Sequence, residues 1–184
     1  LRSLETGLAG WESTDPDHEL TDSEIDRLLR TPSPERILTV RSAMQRGRSD
    51  EQIHQLSSID PWFLAKLRVL INTEQELLQG RSLDQLSKND LFRLKQLGFS
   101  DRQIAKATGC TELNVRRQRL SLGIQAVFKT VDTCAAEFAS TTPYHYSTYE
   151  RPLQKLSEDG SLITLPPATE VSPSKAGRKM MILG

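Results

Sequence analysis

Two seven-residue strings, GRSDEQI at 47–53 and GFSDRQI at 98–104, recur in register at an offset of 51. Gly, Ser, Asp, Gln and Ile hold the same places in both. A chain that repeats itself in this way builds one supersecondary unit twice, although two copies fall short of an extended solenoid. The match continues: Leu64 aligns with Val115, Lys66 with Arg117 and Arg68 with Arg119. Each copy is preceded by an apolar helix carrying basic residues, ERILTVRSAMQR at 35–46 and NDLFRLKQL at 89–97. The fold class expected is therefore mainly α. It comprises two similar small helical subdomains, duplicated helix-turn-helix-like units at about 33–79 and 87–123, then an extended segment and a C-terminal strand belonging to a next domain.

Local signals place the helices. Thr21 and Glu24 have capping-box spacing before IDRLL, as do Ser100 and Gln103 before the second motif helix. Ser33 with Pro34, and Asp60 with Pro61, read as caps followed by a first-turn proline. Gly109 is placed to end the helix before it, and Thr111 to start the next. In the first copy the last helix begins SIDPWFLAKLRVL, with Leu64, Leu67, Leu70 and Ile71 at helical spacing. Trp62, Phe63, Leu64, Leu67, Ile104 and Val115 are the expected helical core. NTEQELLQG, 72–80, reads as the polar end of that helix, stopped by Gly80.

The second copy also resembles a DNA-reading helix-turn-helix, with Arg116, Arg117 and Arg119 on its last helix. A DNA-binding regulator is thus the alternative function. The charge balance weighs against it: 24 Lys and Arg face 24 Asp and Glu, whereas phosphate binding favours a basic domain. The basic bias is local, eight Lys or Arg against three Asp or Glu over 88–123. The Trp-Phe pair of the first copy stands where a DNA reader carries polar residues.

Other classes recede. No apolar run approaches the roughly 20 residues of a membrane span. LRSLETGLAG lacks the order of a signal peptide. Cys110 and Cys134 stand alone, which argues against a zinc site or disulfide framework and for a reducing compartment. His18, His54 and His145 are isolated. The acidic stretch 12–19 reads as a loop.

Beyond Gly123 the texture changes. IQAVFKTVDT, 124–133, is rich in β-branched residues and reads as extended. CAAEFAS reads as a short helical turn. TTPYHYSTYE, 141–150, gathers all three tyrosines and reads as a binding loop or a packed aromatic turn. Residues 151–177 hold four of the nine prolines and read as a linker or exposed insertion. RKMMILG at the end reads as a strand meeting a glycine, the opening of a nucleotide-binding βα unit whose loop is missing. With no initial Met, this leads us to expect a piece of a larger enzyme.

AVFKTVDTCAAEFASTTPYHYSTYE, 126–150, closely resembles a signature of the carbamoyl phosphate synthase large-chain family. RSLETGLAGW resembles the end of that family's first synthetase half, and SSIDPWFLAKL and RLKQLGFSDRQIAKATG match it between those points. The resemblance covers about 1–150 and 178–184, while residues 151–177 depart from it. It implies a noncatalytic connection and oligomerisation domain between two ATP-grasp halves, in an enzyme of the cytoplasm. The division implied is 1–20 as the tail of the preceding half and an acidic loop, 21–123 as the helical domain, 124–150 as the signature, 151–177 as the linker and 178–184 as the first strand of the second half.

The resemblance further implies a parent ligase that makes carbamoyl phosphate from glutamine-derived ammonia, bicarbonate and two ATP, with Mg or Mn. That product serves arginine and pyrimidine synthesis. The partners implied are the two ATP-grasp halves of the same chain, a small glutaminase subunit and further copies of the chain, with neither nucleic acid nor membrane. No catalytic, cofactor or metal residue of the family maps onto this stretch. Asp132, Thr133, Cys134, Glu137, Phe138, Tyr146 and Tyr149 are expected to pin the signature to neighbouring domains, with Cys134 buried and structural.

Overall fold

The computed structural model describes residues 8, 10–11, 20–135, 137–139, 142–157, 159–171 and 177. The expected acidic loop at 12–19 and the C-terminal strand lie outside these residues. The chain divides into two compact units, Leu1–Leu122 and Gly123–Gly184. The first is helical and the second is built of short strands, so the mainly helical expectation holds.

Among the described residues the first unit holds seven α-helices: α1 (Asp22–Arg30), α2 (Arg36–Gln45), α3 (Asp50–Ser57), α4 (Pro61–Leu77), α5 (Lys88–Gln96), α6 (Asp101–Thr108) and α7 (Glu112–Ser121). Their starts follow from short polar side chains that accept otherwise orphaned amide protons. Thr21 and Ser49 form reciprocal capping boxes with Glu24 and Gln52. Ser100 accepts from the amide of Gln103, and Asp60 from that of Trp62. One start differs from expectation. Ser33 and Pro34 form a turn ahead of α2, which begins after Glu35 without a side-chain cap.

In the first four helices Ile25, Leu29, Val40, Ala43, Met44, Ile53, Leu64 and Ile71 close around Trp11. Burying each large side chain contributes about 1.5–3 kcal/mol. Trp11 donates from Nε1 to the carbonyl of Ile37 at 2.9 Å, and the Arg41 guanidinium lies 5.8 Å from its ring centroid. Gly10 lies against the Gln103 side chain so closely that a Cβ there would collide with it. Trp11 thus packs on α2 and Gly10 on α6. In the later helices Leu83, Leu91, Leu94, Phe99, Ile104 and Val115 are buried, with α6 and α5 packed on α7.

The core expectation holds for Leu64, Ile104 and Val115, and Leu67 is half-buried. It fails for Trp62 and Phe63, which are 61% and 58% exposed. For Trp62 the reason is helical phase: Leu64, Leu67 and Ile71 set the inward face at i, i+3 and i+7, and Trp62, two residues before Leu64, lies about 200° around the helix. Phe63 stands one turn before Leu67, which is itself only half-buried. The two rings pack on each other, edge to face with centroids 5.0 Å apart.

Among the described residues the second unit contains two antiparallel pairs. β1 (Val127–Thr130) pairs with β2 (His145–Thr148), Val127 opposite Thr148 and Thr130 opposite His145. β3 (Leu153–Leu156) pairs with β4 (Leu162–Leu165), Leu153 opposite Leu165. The extended reading of 124–133 is therefore met, and the tyrosine-rich stretch supplies a strand. The expected loose run at 151–177 instead holds a hairpin. Asp159 organises its tip by accepting from the amide of Ser161 at 2.9 Å, beside Gly160 at φ +81°.

Candidate functional site

The helical unit sets its charges by the same rule twice. Asp50 opens α3, and its Oδ1 accepts from Nη2 and Nε of Arg68 on α4 at 2.6 and 2.9 Å. Asp101 opens α6 at the equivalent place, and its Oδ2 accepts from Nε of Arg119 on α7 at 2.7 Å. Each pair ties the start of one helix to the next helix, at mid-helix for Arg68 and in the last turn for Arg119. In the second pair a further cation joins: Lys95 Nζ donates to Asp101 Oδ1 and to the Phe99 carbonyl, both at 2.7 Å. The Lys95, Asp101 and Arg119 side chains are only 6%, 11% and 12% exposed. Burial alone would raise the Asp101 pKa, but hydrogen bonds and charge from Lys95 and Arg119 outweigh it and hold the carboxyl below its ordinary value.

This geometry bears on the DNA-reading alternative. Arg119 is spent inside the domain. Arg116 and Arg117 are exposed on α7, but α4 presents Trp62 and Phe63 on its exposed side. Nothing in the arrangement favours a nucleic-acid groove.

The signature residues of the second unit sit together but are largely open. Asp132 Oδ1 accepts from the amide of Cys134 at 2.9 Å, and the Glu137 amide donates to the Cys134 carbonyl at 3.0 Å. This makes a tight turn, with Ala135 at φ +52°, where a short helical turn is expected. Ala136, Ser140 and Thr141 lie outside the described residues. Cys134 is half-buried and not buried as expected, with the Thr133 hydroxyl 3.8 Å from its sulfur. Phe138 is 74% exposed, Tyr146 is exposed and Tyr149 half-buried. Asp132 is engaged in backbone capping, and among the described residues no histidine hydrogen-bonds the Cys134 thiol, so these residues do not build an activated nucleophile.

One cluster in this unit escapes a sequence reading. Lys129 Nζ reaches Glu150 at 3.5 Å and Glu170 at 3.1 Å. Glu170 also accepts from the amide of Thr130 and donates its own amide to the Phe128 carbonyl, so residue 170 is laid along β1. The Glu170 hydrogen bond is the main cause that raises the Lys129 pKa. Glu170 in turn is lowered, chiefly by the Thr130 amide. No local pattern announces a partner some forty positions away.

Among the described residues no three of His, Cys, Asp and Glu are arranged to hold a metal ion. A cleft of about 410 Å³ is lined by Gln45, Glu74, Gln75, Leu78, Gln79, Gly80 and Ala107. Its one acid, Glu74, is already paired with Arg41 at 2.7 Å. No described helix is long and apolar enough to cross a membrane.

Paired helices held by internal ion pairs, with exposed apolar and aromatic surface, define a helical packing module. The chain belongs to the carbamoyl-phosphate synthetase large chain oligomerisation-domain family, whose pattern matches residues 1–123. Among its relatives, the carbamoyl phosphate synthase large chain of Nostoc is 46% identical over all 184 residues, and that of Synechocystis 48%. The arginine-specific, chloroplastic large chain of rice is 49% identical over 153 residues, 82% of this chain. The chain spans only 15% of the Nostoc and Synechocystis relatives and 13% of the rice one.

Proposed function

We propose that this segment is the noncatalytic connection and oligomerisation domain of a glutamine-dependent carbamoyl phosphate synthase. In this reading it lies between two ATP-grasp halves of one large chain, holds them in register and contributes to assembly of further copies. The parent ligase uses ammonia from a small glutaminase subunit, bicarbonate and two ATP with Mg or Mn, in the cytoplasm. The segment itself binds none of these. Its product enters arginine and pyrimidine synthesis.

The observation that carries the reading is what the conspicuous polar groups do. Asp50, Asp101, Arg68, Arg119 and Lys95 are consumed in fixing helix on helix, and Asp132 in capping a turn. Groups so engaged stiffen a scaffold and are not free to exchange protons with a substrate. The matched placement of Asp50–Arg68 and Asp101–Arg119, each at an offset of 51, supports a duplicated three-helix unit. The exposed Phe138 and Tyr146 support a role for the signature as a contact to neighbouring domains.

Sedimentation equilibrium of the segment over a wide concentration range tests the assembly role. A mass rising reversibly above the 20.7 kDa monomer is expected. A mass fixed at the monomer value throughout would remove assembly from these residues.

A further inference from the structure

The third helix of each repeat carries the same exposed stripe. On α4, Trp62, Lys66 and Val69 stand at i, i+4 and i+7; on α7, Leu113, Arg117 and Leu120 do. Positions so spaced share one helix face. All six are exposed, although Leu64 and Val115 between them are fully buried. The apolar exposure is 61% for Trp62, 43% for Val69, 51% for Leu113 and 39% for Leu120. The two faces thus match in register, in spacing and in chemistry: apolar, cation, apolar. On α4 the cation is set against the ring, with Lys66 Nζ 5.3 Å from the Trp62 centroid. The charged pairs directly behind them, Arg68 with Asp50 and Arg119 with Asp101, fix the rotation of both helices, so each stripe is aimed outward by the fold.

Exposed apolar surface presented twice in the same pattern marks a docking surface. We propose that the paired stripes on α4 and α7 dock intramolecularly on the rest of the large chain, against apolar surface that carries carboxylates. The inference rests on the connector reading above and names the faces it uses. Two observations choose the occupant. The relatives hold this stretch within a chain of which it spans 15%, so most of the polypeptide is attached and present at high effective concentration. The second is charge. Each stripe has a cation at its centre and no carboxylate, so packing either stripe of one copy on either stripe of another sets cation beside cation. Like charges so placed oppose that pairing. An occupant with acidic residues between apolar ones answers both faces at once, and Lys66 and Arg117 would set its register.

Hydroxyl-radical footprinting of the full-length chain, read by peptide mass spectrometry, tests this on native side chains. At a dilution where the chain has the mass of one copy, Trp62, Phe63 and Leu113 are expected to oxidise at least about fivefold more slowly than in the same chain unfolded by denaturant, as buried side chains do. Oxidation near the unfolded rate would overturn the proposal while leaving the assembly result above untouched. Protection that arises only at concentrations where the chain associates would assign the faces to a second copy, and would equally overturn it. Lys66→Glu combined with Arg117→Glu changes two exposed side chains and leaves the helical core intact. It is expected to raise Trp62 oxidation severalfold toward the unfolded rate. Unchanged protection in that variant would refute recognition by carboxylates.

Discussion

Asp101 shows how strongly one residue can set the stability of the helical unit. Its carboxylate answers two cations in a setting where all three side chains are nearly sealed from water. Asp101→Ala leaves buried charge without a counterion, and should cost about 3–5 kcal/mol in urea unfolding. Asp50→Ala removes the equivalent carboxylate where the pair is more open, 31% for Asp50 and 23% for Arg68, and should cost markedly less. The pH dependence has a definite sign. A carboxyl held low in the folded state stabilises fully above its unfolded value, near 3.9. The Asp101 contribution is therefore constant at neutral pH and declines as pH falls below about 4 toward its folded value. Titrating thermal stability in wild type and Asp101→Asn should give curves that converge in acid. Neighbouring hydrophobic residues on α4 should behave in opposite ways. Leu64→Ala should cost about 2–5 kcal/mol, and Trp62→Ser should leave the stability of this unit within about 0.5 kcal/mol. Sequence alone marked both as core because hydrophobicity was legible and helical phase was not. The phase depends on which side of α4 meets α2 and α3, a tertiary choice.

At the scale of elements, several helix starts were legible because their causes are local. Ser100, Thr21 and Asp60 each bond to an amide two or three residues away, so spacing alone exposes them. The two recurring strings, GRSDEQI and GFSDRQI, lie on helices that end differently in an instructive way. Gly109 adopts φ +67°, as the end of a helix often requires. Ser58, its counterpart at the end of α3, adopts φ +56° without being glycine. Ser58→Gly should therefore stabilise by about 0.5–1 kcal/mol, and Gly109→Ala should destabilise by a similar amount. Chemical unfolding of the two variants reads both signs. The β3–β4 hairpin was missed because prolines on either side carried the reading toward a linker, although Asp159-Gly160 is itself a hairpin-turn signal. The strap of Glu170 along β1 left no such signal, since its partners are separated by 40 positions or more.

On the scale of the whole molecule, the family resemblance rested on unusual strings, VDTCAAEF and YSTYE, and the structure explains part of their form. Asp132 caps the turn that places Cys134, and β2 carries Tyr146 outward. These positions are also where a hidden catalytic role would have to lie, because Asp132 and Glu137 are the acids of the VDTCAAEF string. The most direct measurement is bicarbonate-dependent ATP turnover of the full-length chain carrying Asp132→Asn or Glu137→Gln. A connector role predicts turnover within about tenfold of wild type and an unchanged pH profile. A fall of about 10²–10⁴-fold, with loss of an ionisation from the profile, would place a general acid or base in this segment and contradict the account.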